Sequence, residues 1–184
     1  MRFIKTEIPD VVIIEPVVHQ DERGYFFESF RQDQFELYIG KINFIQENES
    51  KSTFGTLRGI HYQLLPYTQS KLVRVTKGIV QDVAVDLRKD SEYFGKYVSV
   101  ILSDSNKRQL FIPKGFGHAF LTLSDEAVFS YKVDNYYSKE SERGILFNDQ
   151  NLNIKWELQN NQILLSKNDK TNTSFKKAEV FYLL

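Results

Sequence analysis

Apolar and polar residues alternate along most of this chain with a period of two. Leu72-Val73-Arg74-Val75-Thr76 runs into the turn pair Lys77-Gly78 and resumes as Ile79-Val80-Gln81-Asp82-Val83-Ala84-Val85-Asp86-Leu87. Further apolar runs occupy residues 97–102, 109–112, 118–123 and 127–133. Between them lie Ser103-Asp104-Ser105-Asn106, Pro113-Lys114-Gly115 and Ser124-Asp125-Glu126. Strand-length runs at such close intervals, punctuated by turn residues, predict an antiparallel sandwich or barrel. The 15 Phe and 10 Tyr agree, because aromatic side chains suit a pleated, half-buried surface. One segment departs from this pattern: Gln32–Tyr38, followed by Ile39-Gly40, predicts a short helix with a glycine stop. The polar stretch 160–177 predicts mostly loop. The apolar segment 180–184 after it needs a surface to pack against.

Composition narrows the class. A length of 184 residues fits one domain, 1–184, with a sizeable core. The absence of Cys excludes a disulfide framework, thiolate catalysis and Cys-ligated metal. Lys and Arg number 24 against 24 Asp and Glu, so no global field draws the chain to nucleic acid or an anionic membrane. The longest apolar stretches, such as 11–14, are far short of a membrane span, and residues 1–5 lack the apolar core of a secretion signal. The expectation is a soluble cytoplasmic protein.

Three histidines are few enough to weigh singly. His19, in the polar string Val18-His19-Gln20-Asp21-Glu22, is expected at the surface. His61 lies in Thr56-Leu57-Arg58-Gly59-Ile60-His61-Tyr62-Gln63; in an extended segment it shares a face with Gln63, and Gly59 leaves room for something to approach. An isolated histidine there reads first as a core residue hydrogen-bonded to backbone. The density of Arg58, His61, Gln63 and Lys71 shifts the balance, since four such groups cannot all be buried cheaply. In Pro113-Lys114-Gly115-Phe116-Gly117-His118 a turn delivers His118 to the start of a strand.

That last string resembles the Pro-x-Gly-x-x-His half-motif of the cupin barrels, a small jelly-roll class. Many cupins bind metal through a His-x-His pair and a Glu; here the matching place reads His61-Tyr62-Gln63, so the resemblance implies a metal-free cupin. More specifically, the chain resembles the dTDP-4-dehydrorhamnose 3,5-epimerase family of nucleotide-sugar biosynthesis. Matching strings include Asp21-Glu22-Arg23-Gly24-Tyr25-Phe26-Phe27-Glu28-Ser29-Phe30, residues 55–63, Gln69-Ser70-Lys71-Leu72-Val73, Asp86-Leu87-Arg88 and residues 111–120. They continue through Tyr131-Lys132, residues 144–149, Trp156 and residues 166–169. The likeness runs in order over about residues 3–170. Two positions depart from it: Ala119 stands where the family usually has Gly, and Asn168 where it usually has Lys.

The resemblance implies an all-β cupin jelly-roll barrel with short flanking helices. It also implies inversion at C3 and C5 of a dTDP-linked 4-keto-6-deoxyhexose. Both carbons are α to the ketone, so proton removal and opposite-face return suffice, and no cofactor is expected. By matching position His61 resembles the base, Asp169 its carboxylate partner, Lys71 the enolate-stabilising cation and Tyr131 the opposite-face acid. Read from its polar surroundings alone, Asp169 would be a solvated loop carboxylate. Alternation places Phe129, Tyr131 and Val133 on one face, which turns Tyr131 inward. Arg23, Phe26 and Glu28 resemble nucleotide contacts reaching from the neighbouring subunit of a homodimer with exchanged N-terminal segments. Residues 11–18 and 25–30 would accordingly be poorly buried in a lone barrel. Gln46, Asn48, Arg58, His118 and Tyr137 match further substrate-binding positions. A regular strand would point Arg58 and His61 to opposite sides, so a bend at Gly59 is required. Two alternatives stand beside this one: inversion at only C3 or C5 of a related sugar, and a non-catalytic sugar-binding cupin.

Overall fold

The computed structural model describes residues 1–182. Its elements, in chain order, are β1 (Arg2–Lys5), β2 (Val12–Glu15), β3 (His19–Asp21), β4 (Gly24–Phe26), α1 (Gln32–Tyr38), β5 (Gln46–Thr53), β6 (Leu57–Gln63) and β7 (Lys71–Lys77). There follow β8 (Ile79–Asp86), β9 (Tyr97–Ser103), β10 (Gln109–Ile112), β11 (Phe116–Thr122), β12 (Glu126–Val133) and β13 (Glu142–Gly144). Every alternating run of the sequence thus forms a strand, and the expected helix forms over the expected residues.

Two antiparallel sheets face each other, one in the order β1-β2-β10-β7-β12-β5 and one in the order β13-β6-β11-β8-β9. Between them lies one apolar cluster: Val73, Val75, Leu110, Ile112 and Phe129 from the first sheet meet Val80, Ala84, Val100, Leu102 and Phe120 from the second. The outer face of the second sheet is covered as well. Ile60, Tyr62, Val83, Val85 and Ala119 pack there against Ile145, Leu152, Ile154 and Phe181 of the C-terminal segment. A sheet covered on both faces explains why all seven residues of β11 are buried. It also demands partners for buried polar groups: Gln81 donates to Ser99 Oγ and the Lys155 carbonyl and accepts from the Glu157 amide.

The other sheet is backed by α1. Phe35 is its buried anchor, set in edge contact with Phe44 and Phe111 at 5.5 and 5.4 Å between ring centres. Burying one such ring stabilises by about 1.5–3 kcal/mol, which supports a helix of only two turns. Together these features make an all-β cupin jelly roll with short flanking helices.

One expectation about burial needs correction. Val11, Val12 and Ile14 are buried within the single chain, because β2 lies inside the sheet between β1 and β10. Poor burial is confined to Val17, Val18, Tyr25 and Phe26, around the β3–β4 hairpin, which pairs with neither main sheet. The stretch 160–177 does consist of loop and single 3-10 turns and is largely exposed apart from Asp169, while the apolar segment after it finds its surface where Phe181 inserts beside Tyr62. Leu183 and Leu184, the end of the apolar segment, lie outside the described residues.

Candidate active site

Gly59 shapes the site by distorting β6. Its φ of +132° suits a residue without a side chain, and a Cβ there would come within 2.4 Å of the Ala119 methyl. The room expected at Gly59 is therefore taken by the neighbouring strand β11, not left for a ligand. The register between the two strands slips by one residue at this point: His61 lies opposite His118, but Arg58 lies opposite Phe120. The slip is the bend that the sequence required. It brings Arg58 and His61 into the same cleft.

That cleft encloses about 690 Å³. His61 and His118 enter from the five-stranded sheet, Lys71 and Tyr131 from the six-stranded one, and Asp169 from the C-terminal segment. His61 Nε2 donates to Asp169 Oδ1 at 2.5 Å, since a carboxylate can only accept. Asp169 is 3% exposed, not the solvated carboxylate that its polar neighbours suggested. Its 3-10 turn folds it under the cleft, where Ser166 Oγ donates to Oδ2 at 2.8 Å and accepts from the Asp169 amide at 3.0 Å. Burial pushes the Asp169 carboxyl up, but the bonds from His61 and Ser166 outweigh this and hold it below the usual carboxylate range.

Lys71 is the first residue of β7; its ammonium hydrogen-bonds to no described residue and is pushed down to about 8 by desolvation, against the opposing charges of Asp82 and Glu142. Burial likewise raises the Tyr131 phenol, although a hydrogen bond with Asn48 and the charge of Arg58 pull the other way. Tyr131 follows Phe129 on the inward face of β12, as alternation predicted, and Phe129 stacks on Phe120 at 4.1 Å. Arg58 is braced by Ser52 Oγ at 3.0 Å and the Lys51 carbonyl at 3.2 Å.

A second lobe of about 360 Å³ adjoins the cleft, sharing His61, Lys71, Tyr131 and Glu142. It contains Gln46, Asn48 and Tyr137; Gln46 Nε2 donates to Asn48 Oδ1 and Tyr137 Oη to Glu142 Oε2. Asn168 stands on the cleft wall. The structure does not bring Arg23, Phe26 or Glu28 to the cleft of their own chain. Arg23 pairs with Asp21 on the β3–β4 hairpin, Phe26 is 68% exposed, and Glu28 faces Arg31 at 3.6 Å. His19 is exposed on the same hairpin, as expected. A larger groove of about 950 Å³ lies near α1; two of its cations are ion-paired, Arg88 with Asp10 and Asp86 and Lys114 with Asp134.

Sequence reading missed Asp82, Glu142 and Ser166. Asp82 carried a usable signal, because alternation puts it on the same strand face as Val80 and Ala84, and a carboxylate on a core face calls for an explanation. Ser166 lay in the matching string 166–169 that pointed to Asp169, but nothing in it marked the serine; Glu142 carried no signal, being an ordinary polar residue in a polar segment.

Fold and cleft together define a cupin-class protein whose barrel opening is lined by titratable side chains from both sheets. The family model described as dTDP-4-dehydrorhamnose 3,5-epimerase matches residues 5–177. The dTDP-4-dehydrorhamnose 3,5-epimerase of Shigella flexneri is 58% identical over 182 residues, 98% of this chain and 99% of that protein. The crystal structure of dTDP-6-deoxy-D-glucose-3,5-epimerase from Legionella pneumophila in complex with dTDP-4-keto-L-rhamnose superposes with a TM-score of 0.95. It is 44% identical and covers 100% of this chain and 98% of that one. A 3'-monoepimerase from Streptomyces bikiniensis, in complex with dTDP-quinovose, is 31% identical with a TM-score of 0.87 over 94% of this chain and 87% of its own. The chain belongs to the dTDP-4-dehydrorhamnose 3,5-epimerase family.

Proposed function

We infer that the protein is an isomerase that converts dTDP-4-dehydro-6-deoxyglucose to dTDP-4-dehydrorhamnose by inverting C3 and C5. The observation that carries this reading is the placement of His61 and Tyr131 on opposing sheets of one cleft that Lys71 also lines. A sugar ring held there presents one face to each. His61, its Nε2 committed to Asp169, takes the α-proton on Nδ1, and the electron pair moves onto the C4 oxygen as an enolate. The Lys71 ammonium stabilises that charge, a contribution on the order of 10²–10³-fold for a well-placed donor. Tyr131 returns a proton to the carbon from the other face, and solvent resets both groups. No electron leaves the substrate, so the reaction balances without a redox cofactor. Arg58, His118, Gln46, Asn48 and Tyr137 supply substrate contacts, Arg58 presenting a planar fork suited to phosphate oxygens.

The charge state of Lys71 gives a pH dependence. Its ammonium is charged below about pH 8 and neutral above it, so kcat/KM should fall as pH rises through about 8, well before an ordinary lysine at 10.5 would act. Lys71→Arg should remove this limb from whatever activity survives, because a guanidinium stays charged. A limb unchanged in Lys71→Arg would assign it to another group.

The reading takes residues 1–184 as a single cupin-like domain working as a homodimer in the cytoplasm. Among the described residues no helix is long and apolar enough to cross a membrane. Support for the dimer comes from the β3–β4 hairpin, whose apolar residues Val17, Val18, Tyr25 and Phe26 are exposed while Arg23 and Glu28 lie away from their own cleft. The hairpin then crosses to the partner's cleft and completes its nucleotide subsite. Light scattering at micromolar protein should give twice the chain mass of 21.6 kDa. A monomer with full activity would overturn the exchange. Direct turnover of dTDP-4-dehydro-6-deoxyglucose, with a coupled reductase consuming the product, tests the function itself.

The 3'-monoepimerase of similar fold supports a second reading, inversion at one carbon only. Solvent-deuterium labelling separates the two.

A further inference from the structure

Beneath the cleft a carboxylate is sealed from solvent without a cation bonded to it. Asp82, on β8, is 0% exposed, and both its oxygens lie within reach of a single donor, His118 Nε2, at 3.1 and 2.9 Å. Since the carboxylate only accepts, Nε2 must carry the hydrogen. Nδ1, which no described residue hydrogen-bonds, is left as an acceptor on a ring that lines the cleft. An imidazole held this way and stacked 5.9 Å from the Phe129 ring does not neutralise the carboxylate. Its burial also disfavours the imidazolium, outweighing the attraction of Asp82.

The negative charge therefore needs a counter-ion elsewhere. The groups gathered round Lys71 are Asp82 on β8, Glu142 on β13, Arg58 and His61 on β6, His118 on β11, Tyr131 on β12, Asp169 on the C-terminal segment and Tyr137 beyond β12. Asp169 is engaged by His61, and Glu142 accepts from Tyr137. The Lys71 ammonium bonds to no described residue, so it is held by field and keeps its donors for a ligand. Asp82 shares the core-facing side of β8 with Val80 and Ala84, and these pack against Val73 and Val75 on the side of β7 that carries Lys71; the charge of Asp82 opposes the desolvation of that ammonium.

We propose that Asp82 is a positioning residue of this site: it locks His118 as the neutral Nε2–H tautomer and supplies the buried negative charge that keeps the Lys71 ammonium protonated at neutral pH. The second half rests on the role given to Lys71 above, but the charge of Lys71 can be read without substrate or turnover.

The test is a titration of the intact protein labelled with 13C at lysine Cε and 15N in histidine, with Lys71 assigned by its loss in Lys71→Arg. In the unmodified protein His118 should be neutral and protonated on Nε2 at pH 7. In Asp82→Asn the Lys71 midpoint should fall by roughly one unit or more, the effect of losing an opposite charge at close range. Glu142→Gln should move it less. His118→Asn should leave it within about half a unit, because a neutral ring spends none of Asp82's charge. The alkaline limb of kcat/KM should move with the Lys71 midpoint in Asp82→Asn, a change that loss of packing alone would not produce. An unmoved midpoint in that variant overturns the proposal. If Asp82→Asn does not fold, two other results decide. An imidazolium at His118 at pH 7 overturns it, as does a rise of about one unit or more in His118→Asn; their absence upholds it. A protein that titrates as expected but fails to turn over the sugar would leave this proposal standing and remove the assigned reaction.

Discussion

His61→Ala should lower kcat by roughly 10²–10⁴-fold while leaving dTDP affinity within about twofold of the unaltered protein. In the proposed reaction this variant removes the proton-accepting group and leaves the rest of the cleft intact. Asp169→Ala should fall in the same range. His61 Nε2 sits 2.5 Å from Asp169 Oδ1, and the carboxylate is further pinned by Ser166. Without it the ring loses its orientation, and the imidazolium formed in the reaction loses its counter-charge. The two residues act as one unit, so the double variant should be little worse than His61→Ala alone. Stopped assays of product, with calorimetric titration of dTDP, separate the two effects. Near-normal turnover by Asp169→Ala would return Asp169 to a structural role, pinning the 3-10 turn through Ser166. A parallel loss of dTDP binding in both variants would point to a collapsed cleft instead.

The sequence disclosed the strands better than it disclosed the geometry between them. Alternation in residues 72–87 marks two strands and their turn because side chains on a strand change face at every residue, a property of the local backbone. The helix at Gln32–Tyr38 was equally local, resting on Phe35 and the Gly40 stop. The burial of Asp169 was not. It depends on His61, 108 positions earlier in the chain, and on a 3-10 turn in a stretch whose composition reads as solvated loop. Only the likeness to a family motif drew attention to it.

Residues 11–18 show the reverse error. An apolar run looked short of cover, yet β2 is inserted beside β10, which follows it by about a hundred residues, and long-range pairing leaves no local trace. At Gly59 the required bend could be inferred from the conflict between Arg58 and His61. What fills the space beside it could not, since the Ala119 methyl arrives from another strand.

Tyr131→Phe should separate the two halves of the reaction. In D₂O the unaltered protein should place solvent deuterium at both C3 and C5 of the product, since each inversion removes one α-proton and returns another from a second group. The phenylalanine ring keeps the tilted contact with Phe129 and leaves His61, Asp169 and Lys71 in place. Enolate formation therefore continues, and protonated His61 can hand a solvent-exchanged deuteron back to the face it attacked. Wash-out of substrate α-protons should persist, while net inversion falls by roughly 10²-fold or more, the usual contribution of a positioned acid. Mass spectrometry counts the deuterons, and proton NMR of the sugar assigns them to C3 or C5. Equal loss of wash-out and inversion would mean that Tyr131 serves enolate formation rather than far-face return. Incorporation at a single carbon in the unaltered protein would keep the base and the fold but make the enzyme a monoepimerase. Incorporation at neither carbon, with dTDP still bound, would leave a sugar-binding cupin.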